Sequence, residues 1–298
     1  MAEQAEHSVP FVSAVMTAAD FFSPPQLVDR ARYLEGLGYD SMWIADIFGR
    51  EVYVTAGFIL GATSRLRVAT GIAHIYGRDA IASAQAARTL SELYDGRFIQ
   101  GLGLSHPSMA AIRGAEWEDP ATKARNYLTA LRSELPIRRT GNPAPVPIYL
   151  AAHGPKMLAV AAELADGANV YMQTPERCAE ARAILGPDKT LNLLLPMCLT
   201  DDPAAGRAAG RKAIGVYLPL AAYHRGWRRS GFDESDWSDG GSDRLVDANV
   251  AWGSLDRITA RLAEFRDAGV DHVIVAANPA PGRPESANEL IEALAPAR

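Results

Sequence analysis

The stretch RFIQGLGLSH, residues 97–106, decides the fold, because it joins a buried strand to two closely spaced glycines. Phe98–Leu102 is short, apolar and partly aromatic, which is typical of a strand covered on both faces. Gly101 and Gly103 stand at its carboxyl end, where a backbone can approach a ligand closely. The spacing argues against a dinucleotide-binding fingerprint. That motif needs a third glycine that opens a helix, and Ser-His-Pro follows here instead.

Outside this stretch, strand-like and helix-like segments alternate along almost the whole chain of 298 residues. The strand candidates are near-continuously apolar, which favours parallel strands over half-exposed antiparallel ones. Eight such units in this length predict an α/β fold, a (β/α)8 TIM barrel, as one domain over residues 1–298. A doubly wound open sheet is the alternative. The eight strand candidates are Phe11–Met16, Ser41–Ala45, Arg67–Ala73, Phe98–Leu102, Ile148–Ala152, Ala168–Met172, Leu191–Leu199 and His272–Ala276.

Helix starts between these strands are marked by capping residues and prolines. Ser23-Pro24-Pro25-Gln26 combines an N-cap serine, early prolines and the glutamine of a capping box. Thr174-Pro175 repeats the pattern of cap and proline, and Ser286-Ala287-Asn288-Glu289 predicts a second capping box. These signals place helices directly after strand ends, as a barrel requires.

Composition limits the function classes. The chain is 48% hydrophobic and 22% charged, with a net charge of -5, so it can fill a large core but offers no basic surface for nucleic acid. Cys178 and Cys198 form neither a disulfide framework nor a metal-ligand spacing, which predicts buried thiols and no metal site. The segment MAEQAEHSVP lacks the blocks of a signal peptide, and no apolar run is long enough to span a membrane. We therefore expect a soluble cytoplasmic protein.

Two stretches interrupt the alternation. Residues 106–126 form a long connection with one tryptophan, and residues 225–243 are polar, rich in glycine and serine, and carry Trp227 and Trp237. Connections of this length are usually functional covers or disordered. The two tryptophans favour an ordered lid over a linker in residues 225–243.

The barrel prediction selects candidate site residues without any motif search, because active sites lie at the carboxyl ends of barrel strands. The second strand ends in Asp46, and His74 lies just beyond the third. After the fifth strand, Gly154 and Pro155 start a helix whose free N–H groups form a ready anion site. Lys156 could add positive charge there.

The blocks WIAD (43–46), RVATGI (67–72), TLSELYDGRFIQGLGLS (89–105) and PIYLAAHGPKMLAVAAELADGA (147–168) resemble the bacterial luciferase-like monooxygenase superfamily. The resemblance extends into residues 243–275 and covers nearly the whole chain. It is closest to the actinobacterial deazaflavin-dependent oxidoreductases, in which a Gly-Leu-Gly-x-Ser-His strand end also occurs. By this resemblance, the chain is expected to bind coenzyme F-420, an 8-hydroxy-5-deazaflavin, or FMN as the alternative.

The resemblance also implies which residues hold the cofactor. Asp46 would contact the edge of the ring and is a second catalytic candidate. The third strand would support the ring, through a cis peptide bond in that segment, and the glycines of the fourth would let the ring lie against the barrel mouth. The implied cofactor-binding residues are Asp46, Thr70, Gly71, Ile72, Gly103, Leu104, Ser105, His106, Ala152, His153, Gly154, Pro155, Tyr171, Met172 and Thr174.

One departure from the family affects the catalytic prediction. Many relatives place a histidine directly after the acid of the second strand, whereas this chain has Ile47 there, which cannot transfer a proton. His106 is therefore our candidate acid or base, because imidazole titrates near neutral pH. The alternative is that His106 only hydrogen-bonds the cofactor or a loop carbonyl.

Three functions remain open at this level. The first is an oxidoreductase that transfers hydride between coenzyme F-420 and a small organic substrate. The second is a monooxygenase that uses oxygen and FMN reduced by a separate reductase. The third, suggested by Ile47, is a non-catalytic cofactor-binding protein. Relatives are commonly homodimers, and the helices after the second and third strands are the surfaces expected to pair.

Overall fold

A computed structural model describes residues 11–133 and 144–296 of the chain. Within these residues, ten strands belong to a single sheet in which every strand pair is parallel. They are β1 (Val12–Thr17), β2 (Ser41–Ile44), β3 (Arg67–Thr70), β4 (Ala73–His74), β5 (Phe98–Gly103), β6 (Ile148–Ala151), β7 (Gly167–Tyr171), β8 (Thr190–Leu199), β9 (Ala251–Gly253) and β10 (His272–Ala277).

The sheet closes on itself. β10 pairs with β1, where Val15 lies opposite Val275, and it also pairs with β8, where Leu195 lies opposite Val275. The ring therefore runs β1-β2-β3-β5-β6-β7-β8-β10 and returns to β1. The eight-stranded TIM barrel is confirmed, and the open-sheet alternative is wrong, because an open sheet has two unpaired edges.

The two extra strands are short additions that the sequence did not predict. β4 continues β3 beyond a cis peptide bond between Gly71 and Ile72 and pairs with the end of β5. β9 pairs with the second half of β8, which is ten residues long and extends past the ring. The eight predicted strands otherwise agree with the observed ones to within one or two residues, apart from this break after Thr70.

Helices surround the barrel and follow the strands as predicted. They are α1 (Pro24–Gly36), α2 (Val52–Ala62), α3 (Ala80–Leu93), α4 (Pro107–Ile112), α5 (Pro120–Arg132), α6 (Pro155–Leu164), α7 (Pro175–Leu185), α8 (Pro203–Ile214), α9 (Ala221–Arg229), α10 (Glu234–Trp237), α11 (Asp243–Asn249), α12 (Leu255–Asp267) and α13 (Ser286–Ala293). Six of them carry a proline in the first turn, where its missing N–H costs no hydrogen bond.

One capping prediction is confirmed and another is wrong. At the start of α1, the Ser23 backbone donates to the Gln26 side chain at 2.9 Å, as a capping box requires. At α13, however, Glu285 holds the N-cap position, and Ser286 lies inside the helix. The Ser286 hydroxyl instead accepts a hydrogen bond from the Ala280 backbone, so this serine fixes the preceding turn.

The two unusual stretches are largely helical. Residues 106–126 contain α4 and the first half of α5, and residues 225–243 run from α9 through α10 to the start of α11. Trp227 and Trp237 are both buried, and they belong to a second hydrophobic cluster, distinct from the main core, that includes Met172 of the barrel end. The expectation that residues 225–243 are ordered is therefore confirmed, and their tryptophans supply the packing.

The inside of the barrel explains Gly101. A Cβ atom at this position would lie 1.9 Å from the Thr70 carbonyl oxygen, which no packing adjustment can accommodate. The Thr70 hydroxyl also bonds both backbone groups of Gly101, donating to its oxygen at 2.7 Å and accepting from its nitrogen at 2.9 Å. Gly101 therefore permits β3 and β5 to pack closely, rather than leaving space for a ligand.

In the residues that the structure describes, no helix is both long and apolar enough to span a bilayer. The segment MAEQAEHSVP, from which the absence of a signal peptide was inferred, lies outside the described residues. Cys178 and Cys198 are both buried free thiols, as predicted.

Candidate active site

The carboxyl ends of β2 and β4 and the end of α4 bring a group of charged and titratable side chains together. Asp46 follows β2, and its carboxylate accepts a hydrogen bond from the His74 backbone at 3.1 Å. Arg113, at the end of α4, lies 3.5 Å from the other oxygen of the same carboxylate. His106 is close enough to His74 to influence its titration. We call Asp46, His74, His106 and Arg113 the polar side of the barrel mouth.

Both histidines of the polar side are held neutral near pH 7. Burial lowers the pKa of His74, and Arg113 adds to this effect while Asp46 opposes it. Nδ1 of His74 is buried and has no hydrogen-bond partner among the described residues. Burial also lowers the pKa of the half-buried His106, whose Nδ1 lies 2.6 Å from the Ser108 hydroxyl. A neutral imidazole can accept a proton, so this side of the mouth can act as a base.

The segment between β3 and β4 passes under this group. It contains the cis bond between Gly71 and Ile72, in the place where the family resemblance implied one. A Cβ atom on Gly71 would lie 2.7 Å from the Met16 side chain, and one on Gly103 would lie 2.9 Å from the Ile72 side chain. Gly71 and Gly103 therefore make room for neighbouring side chains of the protein itself.

Two small side chains lie at the carboxyl end of the barrel interior. Tyr149 of β6 and Ile274 of β10 face the interior, where they pack in one cluster with Trp43. Ala151 and Ala276 lie two residues further along these strands, so they face the same way. Both alanines are only partly buried, which shows that solvent reaches the barrel here. The mouth therefore has an open, apolar floor.

Aromatic rings dominate the opposite part of the mouth. His153, after β6, lies 5.2 Å from the Tyr223 ring of α9, and Tyr171, at the end of β7, lies 5.0 Å from the Tyr217 ring in an edge-on arrangement. The Tyr217 and Tyr223 rings also lie 5.0 Å apart. We call His153, Tyr171, Tyr217 and Tyr223 the aromatic side of the mouth.

His153 differs from the histidines of the polar side in the size of its shift. Burial lowers its pKa to about 4. Its Nδ1 is buried without a hydrogen-bond partner in the described part of the chain. His153 is therefore neutral at any ordinary pH and can hydrogen-bond a ligand but cannot protonate one.

The start of α6 stands beside His153. Gly154 is the N-cap, Pro155 fills the first position, and no side chain caps the helix. The first-turn N–H groups at Lys156 and Met157 precede the first intrahelical donor, Leu158, which bonds Gly154 at 3.0 Å. Lys156 is exposed and close enough to Asp119 of the α5 start to interact electrostatically. This helix start can accept an anionic group.

Two residues of the mouth adopt backbone conformations that favour glycine. Ser105, after β5, has φ of 63°, and Met172, after β7, has φ of 54°. Such left-handed conformations are unfavourable for residues with a side chain and occur often at functional sites. Here they lie at strand ends on either side of β6.

The remaining site candidates contribute mainly through their backbone. Thr70, Leu104, Ala152 and Met172 are all less than 6% exposed, so their side chains are packed in the protein. Thr174 is the N-cap of α7, and Pro175 follows it in the first turn. The structure thus brings the strand ends together, but it leaves few of their side chains free.

Arg113 is a charged residue of the mouth that sequence reasoning missed. It ends a six-residue helix inside the connection 106–126, far along the chain from Asp46. The available signal was a basic residue, one of three with Lys123 and Arg125, in a connection already predicted to cover the site. The sequence predicted that residues 106–126 form a cover, but it did not identify Arg113 as the side chain that reaches the strand ends.

Comparison with known proteins agrees with this architecture. The model of the luciferase-like monooxygenase family matches residues 5–272, and the chain therefore belongs to this family. A 5,10-methylenetetrahydromethanopterin reductase of Methanolobus tindarius is 28% identical, and the alignment covers 88% of this chain and 92% of the relative.

Solved structures share the fold. The coenzyme F-420-dependent tetrahydromethanopterin reductase of Methanopyrus kandleri superimposes with a TM-score of 0.73 at 19% identity, covering 96% of this chain and 98% of its own. The oxygenating constituent of 3,6-diketocamphane monooxygenase of Pseudomonas putida, solved in complex with FMN, gives 0.70 at 14% identity, covering 96% and 97%. These two likenesses show the fold alone, and they include both cofactor types.

Proposed function

We propose that this protein is a coenzyme F-420-dependent oxidoreductase that transfers hydride between the deazaflavin and a small organic substrate. The observation that carries the proposal is an open apolar floor with a neutral imidazole, His106, on the side of the mouth that borders it. The similarity to a methylenetetrahydromethanopterin reductase over most of both chains supports a reductase rather than an oxygenase.

The residues at the mouth fit a planar, anionic cofactor. Beyond Tyr149 and Ile274, the floor carries the small side chains Ala151 and Ala276 and, on β1, Met16, and these leave an apolar surface for a flat ring. The buried Nδ1 of His153 has no partner among the described residues and marks a place where a polar group of a ligand is missing. The free N–H groups at the start of α6 suit a phosphate.

Once bound, coenzyme F-420 would supply the hydride acceptor or donor. The protein must then move one proton at the substrate heteroatom. His106 is the group for this step, because its lowered pKa keeps it neutral and ready to accept a proton from an alcohol. Ser108, at 2.6 Å from Nδ1, fixes the ring orientation. In the oxidation of an alcohol His106 would be the base, and in the reverse reduction its protonated form would return the proton.

Titration of the purified protein tests the cofactor. We expect coenzyme F-420 fluorescence to change on binding and FMN to bind more weakly. Lys156→Pro, which removes one of the free first-turn N–H groups together with the lysine charge, should weaken binding of the phosphorylated cofactor. It should have no effect on binding of the phosphate-free 8-hydroxy-5-deazaflavin chromophore. Tight FMN binding without F-420 binding would contradict the proposal.

A second candidate function keeps the fold and uses reduced FMN and oxygen. It is favoured by the FMN complex among the similar structures. In that case reduced flavin must come from a separate reductase, and oxygen consumption must accompany substrate turnover. An oxygen electrode with FMN, a flavin reductase and NADH distinguishes the two functions, because deazaflavin turnover consumes no oxygen.

We infer further that the protein pairs with a second copy through α2. This helix carries no charged residue between Val52 and Ala62, and Val54 and Phe58, one turn apart, are 73% and 47% exposed. Val54→Glu should convert a dimer into a monomer in analytical ultracentrifugation. Ile184→Glu, at a 36% exposed position of α7, is the matched control and should leave the mass unchanged.

A further inference from the structure

We propose that Arg113 binds a carboxylate group of the substrate, so that the protein acts on small organic acids rather than on neutral alcohols. The proposal rests on the proposed function for the reaction, but not for the binding site itself. It concerns a side chain that neither the family resemblance nor the sequence pattern assigned.

The hydrogen bonds of Arg113 are unusually long for a buried guanidinium. Within the described residues it donates to the Met109 oxygen at 3.4 Å and to the Ile47 oxygen and Asp46 carboxylate at 3.5 Å. N–H···O bonds are normally near 2.9 Å and weaken as they lengthen. The polar contacts that Arg113 makes in the protein therefore leave much of its capacity to donate unused.

Other arginines of the same chain show what full pairing looks like. Arg207 holds Asp247 in a two-pronged contact, with Nη2 at 2.7 Å and Nε at 3.1 Å from the carboxylate. Arg97 donates to the backbone oxygens of Leu60 and Leu66 at 2.9 and 3.0 Å. Arg113 has no comparable contact among the described residues, although its side chain is only 17% exposed.

The surroundings of Arg113 leave its edge, rather than its face, for a ligand. The guanidinium carbon lies 5.0 Å over the Phe48 ring, which takes up one side of this planar group. The donors lie in that plane, and a guanidinium edge matches the two oxygens of a carboxylate. A planar carboxylate can therefore bind edge-on beside Asp46. A bulkier anion matches the donors of this edge less well.

The electrostatic partners of Arg113 stabilise the guanidinium but occupy only part of its donors. Asp46 is the one carboxylate that pairs with it in the described structure, and it does so at 3.5 Å. The carbonyl groups at the end of α4 add a partial negative charge. His74 and His106 contribute no competing positive charge, because burial holds both neutral. A substrate carboxylate would complete the pairing that Asp46 provides only in part.

The position of Arg113 connects this contact to the reaction. Arg113 and His106 both lie on the polar side of the mouth, at opposite ends of α4. A carboxylate held by Arg113 would orient the rest of a small molecule toward His106. Arg113 is thus a specificity residue, and His106 remains the proton acceptor.

Binding of L-lactate to the protein without cofactor tests the proposal, with lactamide as the neutral isostere. The readout is chemical-shift change in the NMR signals of residues 46, 74 and 106. We expect lactate to bind and lactamide not to bind. Arg113→Gln should weaken lactate binding about tenfold or more, since charge-assisted pairs are the strong ones, and Arg113→Lys should restore only part of it. Arg207→Gln, a paired surface arginine, is the control and should bind lactate like the wild type.

The following results would each overturn the proposal. They are absence of lactate binding to the folded wild type, equal binding of lactate and lactamide, unchanged binding in Arg113→Gln, and tighter binding of inorganic phosphate than of lactate at the same signals. Competition between lactate and coenzyme F-420 would also overturn it, because Arg113 would then serve the cofactor. Failure of coenzyme F-420 to bind at all contradicts the proposed function alone and leaves the carboxylate site intact.

Discussion

The two sides of the barrel mouth differ in the groups they present to a ligand. The polar side holds a carboxylate, a guanidinium and two imidazoles on β2, β4 and α4. The aromatic side holds three tyrosines and one imidazole on β6, β7 and the helices around α9. The open floor of small residues belongs to the barrel between them. The difference teaches that charge and proton transfer are concentrated on one side, while the other side is built for packing and binding.

His106 and His153 show this division in a single residue type. His106 is half-buried, with a hydroxyl at 2.6 Å from Nδ1 and a pKa below the usual value. His153 is packed against Tyr223, and its pKa is about 4. The first can exchange a proton near neutral pH, whereas the second stays neutral and can only donate or accept a hydrogen bond.

The largest effect on stability is expected when Gly101 is replaced by alanine, and a much smaller one when Gly154 is. Gly101→Ala should cost about 3 kcal/mol of unfolding free energy or more, because its Cβ would overlap the Thr70 carbonyl oxygen at 1.9 Å. Gly154→Ala, on the other side, has no atom within 4 Å of the new Cβ and should cost at most about 1 kcal/mol as a poorer N-cap. Urea denaturation of both variants measures the contrast. Equal losses would show that the strand contact of Gly101 does not limit the barrel.

Replacing His106 and His153 separately by glutamine tests the division of roles directly. His106→Gln should lower kcat about a hundredfold and leave coenzyme F-420 affinity nearly unchanged, because it removes the proton acceptor. His153→Gln should weaken coenzyme F-420 binding and change kcat little. Steady-state kinetics and fluorescence titration report the two quantities. The wild-type kcat/KM for alcohol oxidation should fall as pH drops through the His106 pKa, below 6.5. If His153→Gln abolishes that pH dependence instead, the roles are reversed.

The free energy of unfolding should also depend on pH through His153, on the aromatic side of the mouth. In the unfolded chain His153 binds a proton below about pH 6.5, but in the folded protein only below about 4. The unfolded state therefore binds more protons between these values, and stability falls as pH drops from about 6.5 to 4. His153→Phe should remove up to about 3 kcal/mol of this loss. Urea denaturation of the wild type and the variant across this range measures it. If the free energies of unfolding of the two proteins changed with pH in the same way, the lowered pKa of His153 would be contradicted.

The smallest effect is expected within the aromatic side. Tyr217→Phe removes a hydroxyl that is close enough to Tyr171 to influence its titration, which should destabilise the protein by about 1 kcal/mol or less. Tyr223→Phe, at the same cluster, is the companion variant and should cost less, since the ring contacts with Tyr217 and His153 remain. Thermal denaturation of both variants gives the comparison. A larger loss in Tyr223→Phe would show that its hydroxyl has a structural partner of its own.

Much of the fold could be predicted from local sequence, and less of the site. Continuous apolar runs such as Phe98–Leu102 locate strands because both faces of a parallel barrel strand are buried. The two-residue strand β4 and the three-residue β9 were not predicted, because such short strands leave no pattern in the sequence. Ser286 resembles an N-cap in sequence but lies inside its helix, because the fold uses its hydroxyl to fix the preceding turn.

The sequence by itself determined the barrel and the positions of its strand ends, because hydrophobic period, capping residues and chain order are local properties. It also pointed to His106 and to the start of α6, which follow strands directly. Only the tertiary structure decided what the glycines do and which charges meet. Gly101 is hydrogen-bonded by Thr70, which lies 31 residues away in the chain. Arg113 pairs with Asp46, which lies 67 residues away. Those contacts depend on how the ring closes, and no local pattern of residues encodes that distance.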